Sequence, residues 1–479
     1  MENKQIIYSF FWKFAERIGV QGIQLIVQIL LARLLLPSDF GAIALITIFI
    51  SVANVFVQTG FNTALIQDND VTEDDYSSVF IVSFIVAFII YIILFITAPY
   101  ISVFYKIPVL KNVIRVLGTT LFFGAFNSIQ IAHLSREMQF KKIFLGSIGA
   151  YIFSGIISIF LAFYKFGVWA IVAQQLISQI GVTIIYLFIV PWKPKLIFNI
   201  LRIKKLFSFG SKMLISSLID TIYNNVYGLV IGKYYSATDL GYYNRADQFP
   251  QVLVVNINSA IQSVILPVMS RIQNDSEKSK RMMRRAMLTS SYIVFPVMGG
   301  LAICAEPIII LLLTETWKPA IPLMQILCIS YSFWPIHTAN LQAISALGRS
   351  DVFLKLEIIK KVIGVTLLII SLPFGVKTMV FTKIISGVLS LIINSSPNKQ
   401  LLNYDYKDQI KDLLPNIFIT ALMVLVVFIS SRFLNISIIS LIFEVFIGII
   451  SYVILSIITK NESFFYLLQY LNIKKKETL

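Results

Sequence analysis

The amino-terminal segment carries charged and amide side chains at a helical spacing. Lys13, Arg17, Gln21, Gln24 and Gln28 follow one another at intervals of three or four residues. In a helix these five side chains share one face, on an arc of about 80°. The residues around them are mainly apolar, and polar side chains do not face acyl chains cheaply, so this face should contact protein or water. The spacing therefore indicates a helix face that could bind a polar or anionic ligand within a membrane.

Polar faces of the same kind recur in three other hydrophobic segments, near residues 54, 224 and 258. One aqueous cavity shared by the four segments would satisfy all of these side chains. The alternative is that the amides hold helices together through interhelical hydrogen bonds. The predicted cavity residues are Lys13, Arg17, Gln21, Gln24, Gln28, Asn54, Gln58, Asn62, Asn224, Asn258 and Gln262.

Arg17 is the residue on these faces best suited to an anion, because its guanidinium binds phosphate or carboxylate in a bidentate manner. Arg17 lies about eleven residues into its predicted helix, roughly 16 Å at 1.5 Å per residue. Lys13 is shallower and could reach the membrane surface. Two interpretations remain open: Arg17 faces the ligand, or it forms a structural ion pair with the adjacent Glu16.

Asp220 lies near the middle of a hydrophobic segment, with Asn224 one helical turn later. A carboxylate at this depth is a candidate site for a proton or cation, so coupling to H⁺ or Na⁺ is an expectation, with a structural aspartate as the alternative. We expect no other cofactor and no metal site, because His133 and His337 have no second ligand nearby. Nucleotide-binding and hydrolase motifs are absent, so the sequence predicts no enzyme.

The elements that carry these faces are membrane helices. The chain has 479 residues, of which 57% are hydrophobic and only 13% charged, far from the roughly 25% charged residues of soluble domains. The expected fold is an all-α polytopic membrane protein with about 14 spans of some 20 apolar residues each. The predicted spans are 7–34, 40–66, 77–104, 112–134, 143–164, 168–190, 207–233, 248–270, 286–313, 320–346, 353–374, 378–398, 413–433 and 436–459.

Basic residues predict the orientation of these spans. If the amino terminus is cytoplasmic and the spans alternate, about three times as many lysines and arginines fall inside as outside, as the positive-inside rule requires. This explains the net charge of +16 without nucleic acid. The predicted location is the cytoplasmic (inner) membrane, with both termini in the cytoplasm. One inside loop, residues 68–75, is instead acidic, and either it is simply solvated or it contributes to gating or a partner contact.

The chain also repeats itself at an offset of 200 residues. Arg33, Asp39 and Gly41 correspond to Lys233, Asp239 and Gly241 without a gap. Six spans separate the copies, so both enter the membrane from the same side, which predicts two parallel six-helix lobes around a central cavity. The predicted domains are a lobe at 1–200, a lobe at 201–410, and two additional helices with a cytoplasmic tail at 411–479.

Several of these segments resemble the polysaccharide transporters, the Wzx-type flippases, of the multidrug/oligosaccharidyl-lipid/polysaccharide exporter superfamily. The segments are residues 11–17 (Phe-Trp-Lys-Phe-Ala-Glu-Arg), 31–41 (Leu-Ala-Arg-Leu-Leu-Leu-Pro-Ser-Asp-Phe-Gly), 61–67 (Phe-Asn-Thr-Ala-Leu-Ile-Gln) and 239–246 (Asp-Leu-Gly-Tyr-Tyr-Asn-Arg-Ala). The resemblance implies alternating access and an undecaprenyl-diphosphate-linked oligosaccharide, flipped for the synthesis of a surface polysaccharide such as lipopolysaccharide or exopolysaccharide. It also implies work beside a polysaccharide polymerase and chain-length machinery.

Two other functions remain open at this point. An ion-coupled drug or small-molecule antiporter of the same superfamily would share the fold, although it would favour acidic cavity residues. A membrane-embedded polymerase or ligase would also bind lipid-linked sugar, although it should have a large catalytic outside loop. The sequence does not identify the glycan or the coupling ion.

Overall fold

A computed structural model describes residues 2–59, 65 and 71–477. Throughout these residues the regular structure is helical, and the long helices are apolar. Eleven of them are long and apolar enough to cross a membrane. The expectation of an all-α polytopic membrane protein is therefore confirmed.

The chain divides into two compact units, residues 1–244 and 245–479. The division predicted from the repeat, with boundaries at 200 and 410, stays a prediction.

The first unit is built from eight helices within the described residues, together with the start of a ninth. Its core lies where α3, α5, α6 and α7 meet, around Tyr76, Phe126 and Tyr186. The helices are α1 (Glu2–Leu34), α2 (Pro37–Asn54), α3 (Glu73–Tyr105), α4 (Leu110–Gly118), α5 (Thr120–Arg136), α6 (Phe140–Phe163), α7 (Val168–Ile189) and α8 (Ile200–Tyr234), and α9 (Ala237–Arg271) begins here. A π-helical turn, Val55–Thr59, continues α2.

The second unit continues α9 and adds the remaining helices. One core surrounds Met283, Met287 and Leu413, and a smaller one surrounds Tyr292 and Tyr452. The helices are α10 (Ser276–Ile303), α11 (Ala305–Leu312), α12 (Ala320–Tyr331), α13 (Trp334–Ala346), α14 (Ser350–Ser371), α15 (Val376–Leu402), α16 (Tyr406–Ser431), α17 (Ile438–Ile458) and α18 (Glu462–Glu477).

Three of the fourteen predicted spans are not among the eleven long apolar helices. The predicted spans 112–134 and 320–346 are each divided into two shorter helices, α4 and α5 in one case and α12 and α13 in the other. The span predicted at 353–374 corresponds to α14, which is unbroken but carries Lys355, Glu357, Lys360 and Lys361. Glu357 and Lys360 form an ion pair on this helix. These segments are helical as predicted, but breaks and charges keep them from being long apolar spans.

The two copies of the internal repeat meet inside the first unit. A Cβ atom built on Gly41 would lie 1.6 Å from the carbonyl oxygen of Ala237, and one built on Gly241 would lie 2.0 Å from that of Pro37. The contact is reciprocal, because residues 37 and 237 correspond in the repeat, as do 41 and 241. A two-fold relation between the starts of α2 and α9 produces this pattern. Only glycine allows the two backbones to approach so closely.

The acidic loop is partly fixed to the segment that follows α7. Arg202 binds Asp75 through two hydrogen bonds, of 3.0 and 2.7 Å. Lys195 lies 2.9 Å from Glu73. These two carboxylates therefore have partners within the same unit, while Asp68 and Asp70 lie outside the described residues.

Candidate functional site

The charged part of the predicted cavity lies at the beginning of α1. α1 begins at Glu2 and continues without a break past Arg17. Arg17 is half-buried. Glu16 accepts a 3.0 Å contact from Lys13, whose own side chain is half exposed. The structure thus gives Glu16 a lysine partner on its own helix, and the depth of Arg17 in the membrane stays a prediction.

The amide part of the same face includes a contact with a neighbouring helix of the first unit. Gln28 donates to the side-chain oxygen of Gln174 on α7, at 3.1 Å. Gln21 and Gln24 are half-buried. Gln28 therefore joins two helices, as the alternative interpretation of the stripe proposed.

Asn54 and Gln58 form a pair at the end of α2. The Gln58 amide donates to Asn54 Oδ1 at 2.9 Å. The pair lies against α5 at Gly124, where an added Cβ would be 2.7 Å from Gln58 Nε2. A glycine at position 124 leaves room for these two amides, which makes this part of the predicted face a packed contact.

The remaining predicted residues lie on α8 and α9. Asp220 and Asn224 are exposed on one face of α8, because residues four apart share a face. On α9, Asn258 is buried and Gln262 is exposed. Asn62 lies outside the described residues. The common cavity, and the assignment of Asp220 and Asn224 to ion coupling, stay predictions.

The structure shows buried amides that sequence reasoning missed. In the first unit, Asn127 of α5 donates to Gln179 of α7 at 3.1 Å and accepts from Thr183 at 2.8 Å. In the second unit, Asn340 and Gln409 exchange hydrogen bonds of 2.8 and 3.0 Å. Single amides within apolar runs have no helical periodicity of their own, so no pattern revealed them as partners.

Two apolar cavities lie in the second unit, beside the two helices added at its carboxyl end. One of about 550 Å³ is lined by residues of α10, α12, α13, α15 and α16. The other, of about 440 Å³, is lined by residues of α9, α10, α11, α16 and α17 and includes Glu444 and Cys304. Their walls are almost wholly apolar, so neither resembles the polar faces of the first unit.

Comparison with known proteins identifies the family. A family model described as "Polysaccharide biosynthesis protein" matches residues 30–322, which is more than half of the chain. The chain belongs to this family. The predicted resemblance to polysaccharide transporters is thereby confirmed.

Two curated relatives are similar to this chain over most of its length. The succinoglycan biosynthesis transport protein ExoT of Rhizobium meliloti is 23% identical over 68% of this chain and 66% of its own length. The lipopolysaccharide biosynthesis protein WzxC of Escherichia coli is 21% identical over 84% of this chain and 82% of its own length. The match to ExoT thus spans slightly less than two thirds of that protein.

Among solved structures, the chain is similar to the lipid II flippase MurJ in an inward closed conformation. The TM-score is 0.75 at 16% identity, and the match covers 95% of this chain and 99% of MurJ. At this identity the likeness establishes the fold. The structural match includes the two helices at the carboxyl end, α16 and α17, because nearly all of both chains is matched.

Proposed function

We propose that this family member is a flippase that translocates a lipid-linked oligosaccharide, carried on undecaprenyl diphosphate, by alternating access. The observation that carries the proposal is the family match over residues 30–322. ExoT, named as a transport protein, and the fold shared with MurJ support a transporter rather than an enzyme.

The chemistry at the start of α1 suits such a substrate. The diphosphate and any acidic sugars lose their bound water in the hydrocarbon, and an unpaired buried charge is very unfavourable. Protein groups must therefore replace the water around these charges during the crossing. Arg17 supplies a bidentate donor, and Lys13 supplies a second cation. Asn224, in the same unit, adds a hydrogen-bonding group that binds without holding the substrate too tightly.

Arg17 variants in a deletion strain test the proposal. Arg17→Ala should block polymer export and cause the lipid-linked intermediate to accumulate. Arg17→Lys should be partly active, because lysine keeps the positive charge but cannot form the bidentate hydrogen bonds of a guanidinium. Lys111→Ala, which changes an exposed lysine on α4, is the matched control. Full export by Arg17→Ala at normal expression would exclude the role of Arg17. Export of a lipophilic cation instead of the lipid-linked sugar would favour the antiporter alternative.

The location and orientation form part of the proposal. We place the protein in the cytoplasmic membrane with both termini inside, next to the polymerase and chain-length machinery that use its product. The density of basic residues in the inside loops supports this orientation. In intact cells, a cysteine at Lys204 should resist an impermeant thiol reagent and one at Asp239 should react. The reverse labelling pattern would refute the orientation.

A further inference from the structure

A single carboxylate lies in the wall of the smaller apolar cavity of the second unit. This cavity has a volume of about 440 Å³, which falls within the range of roughly 300–1,000 Å³ that is typical of ligand pockets. Glu444 of α17 is only 5% exposed. Among the described residues that line the cavity, Glu444 is the only charged one, and the walls around it are almost wholly apolar.

The position of Glu444 makes an unpaired charge unfavourable. Glu444 follows the first residue of α17 by six positions, so it lies about 9 Å along that helix. Within the described part of the chain, no lysine or arginine forms an ion pair with it. Ionisable residues within membrane spans are rare and are functional by default. A positive charge that pairs with this carboxylate must therefore come from a ligand.

The cavity has room for such a ligand on the side of α10 and an aromatic wall on the side of α17. Gly300 lines the cavity, and a Cβ atom built on it would meet nothing within 4 Å. Gly448 and Tyr452 follow Glu444 at intervals of four on the buried face of α17. The Tyr452 hydroxyl donates a 2.8 Å hydrogen bond to the carbonyl of Tyr292, so Tyr452 contributes its ring to the wall, and aromatic rings attract cations.

We propose that this cavity binds a lipophilic monocation, an ammonium or phosphonium with apolar substituents, whose charge pairs with Glu444. An acyl chain alone would fill the apolar walls but leave the carboxylate unpaired. A zwitterionic phospholipid would place its phosphate where the lining offers no cation, and unpaired buried charge is very unfavourable. The site is thus distinct from the predicted polar faces of the first unit and takes a ligand of opposite charge to the proposed substrate.

Equilibrium dialysis of the purified full-length protein in detergent tests the site. The probes are tetraphenylphosphonium and tetraphenylborate, which have nearly the same shape and opposite charge. Glu444→Gln keeps the shape of the side chain and should bind the phosphonium about tenfold more weakly than wild type, because a charge-assisted contact is lost. Gly300→Leu fills the open space without changing charge and should also bind at least about tenfold more weakly. Tetraphenylborate should bind Glu444→Gln at least as well as it binds wild type.

Glu306→Gln is the matched control, because Glu306 is an exposed glutamate on the neighbouring helix α11 and should leave phosphonium binding unchanged. Equal phosphonium binding by wild type and Glu444→Gln would overturn the proposal and leave Glu444 as a structural acid. Equal binding by wild type and Gly300→Leu would show that the probe binds outside this cavity, which also overturns it. These measurements involve no oligosaccharide, so their outcome is independent of the proposed flippase activity.

Discussion

Asn340 is the centre of a buried amide cluster that joins α13, α15 and α16 in the second unit. Its side chain donates to Gln409 Oε1 at 2.8 Å and accepts from Gln409 Nε2 at 3.0 Å and from Asn398 Nδ2 at 2.8 Å. All three residues are fully buried. Asn340→Ala removes the three interhelical hydrogen bonds at once. The side-chain amides of Gln409 and Asn398 then lie in an apolar environment without these hydrogen bonds.

The magnitude follows from these contacts. Interhelical hydrogen bonds in membrane proteins average about 0.6 kcal/mol and reach about 1.7 kcal/mol. Three of them give a loss of about 2 kcal/mol at the mean and about 5 kcal/mol at the maximum. The upper part of this range is favoured here, because burying an unsatisfied amide costs about 1–3 kcal/mol. We therefore expect Asn340→Ala to lower the free energy of unfolding by about 3–5 kcal/mol.

Equilibrium unfolding of the purified protein in mixed micelles measures this change. Asn225→Ala is the control, because that amide donates to the carbonyl of Thr221 on its own helix, and its loss should change stability by less than about 1 kcal/mol. A double-mutant cycle between Asn340→Ala and Gln409→Ala should show clear coupling. If Asn340→Ala costs no more than the control and the cycle shows no coupling, the cluster does not stabilise the unit.

Two other perturbations have defined outcomes. Gly41→Ala places a Cβ against backbone that cannot move away, so no folded protein should elute on size-exclusion chromatography. Gly22→Ala is the control, because the space around its Cβ position is open, and it should give a normal yield. A folded Gly41→Ala protein would refute the close crossing of α2 and α9. Arg284 donates a 2.8 Å hydrogen bond to Glu462 and thereby lowers the pKa of that carboxyl. The pair therefore stabilises the folded state fully above about pH 4.3, the pKa of an unperturbed glutamate. This stabilisation is lost as the pH falls through the lowered pKa. Wild type should therefore be more stable than Glu462→Gln near neutral pH, by at most about 1 kcal/mol for this exposed pair. The difference in free energy of unfolding should shrink on acidification. A difference that is constant with pH would show that the ion pair contributes nothing.

The fold was largely predictable because hydrophobic length and charge position are local properties of a membrane sequence. The helix boundaries at Pro37 and Ala237 follow from short-range signals: Asp39 accepts from the Leu36 amide, and Ser236 accepts from that of Asp239. The breaks after Gly118 and Tyr331 were not predicted, since the apolar run continues across each of them. Tertiary packing, rather than local composition, decides where such helices end.

The candidate site was less predictable, because spacing along one helix does not say which neighbour its face meets. Lys13, Arg17 and the glutamines do share a face of α1, yet Gln28 turns out to bind Gln174 of α7. A periodic polar stripe looks the same in sequence whether it lines water or a second polar helix. The partner residue is more than 100 positions away, where no local pattern connects the two.

The internal repeat also relates buried positions that differ in charge. The contact of Gly41 with Ala237 and of Gly241 with Pro37 is reciprocal at the starts of α2 and α9, and the sequence repeat pairs residues 200 apart along these two helices. The counterparts of Arg245 and Asp247 are Leu45 and Thr47, and Leu45 is fully buried in the first unit. One copy thus has an apolar core residue where the other has a buried cation. The sequence repeat therefore does not by itself require a charge at this position, and the difference could not have been predicted from the similarity of the two copies.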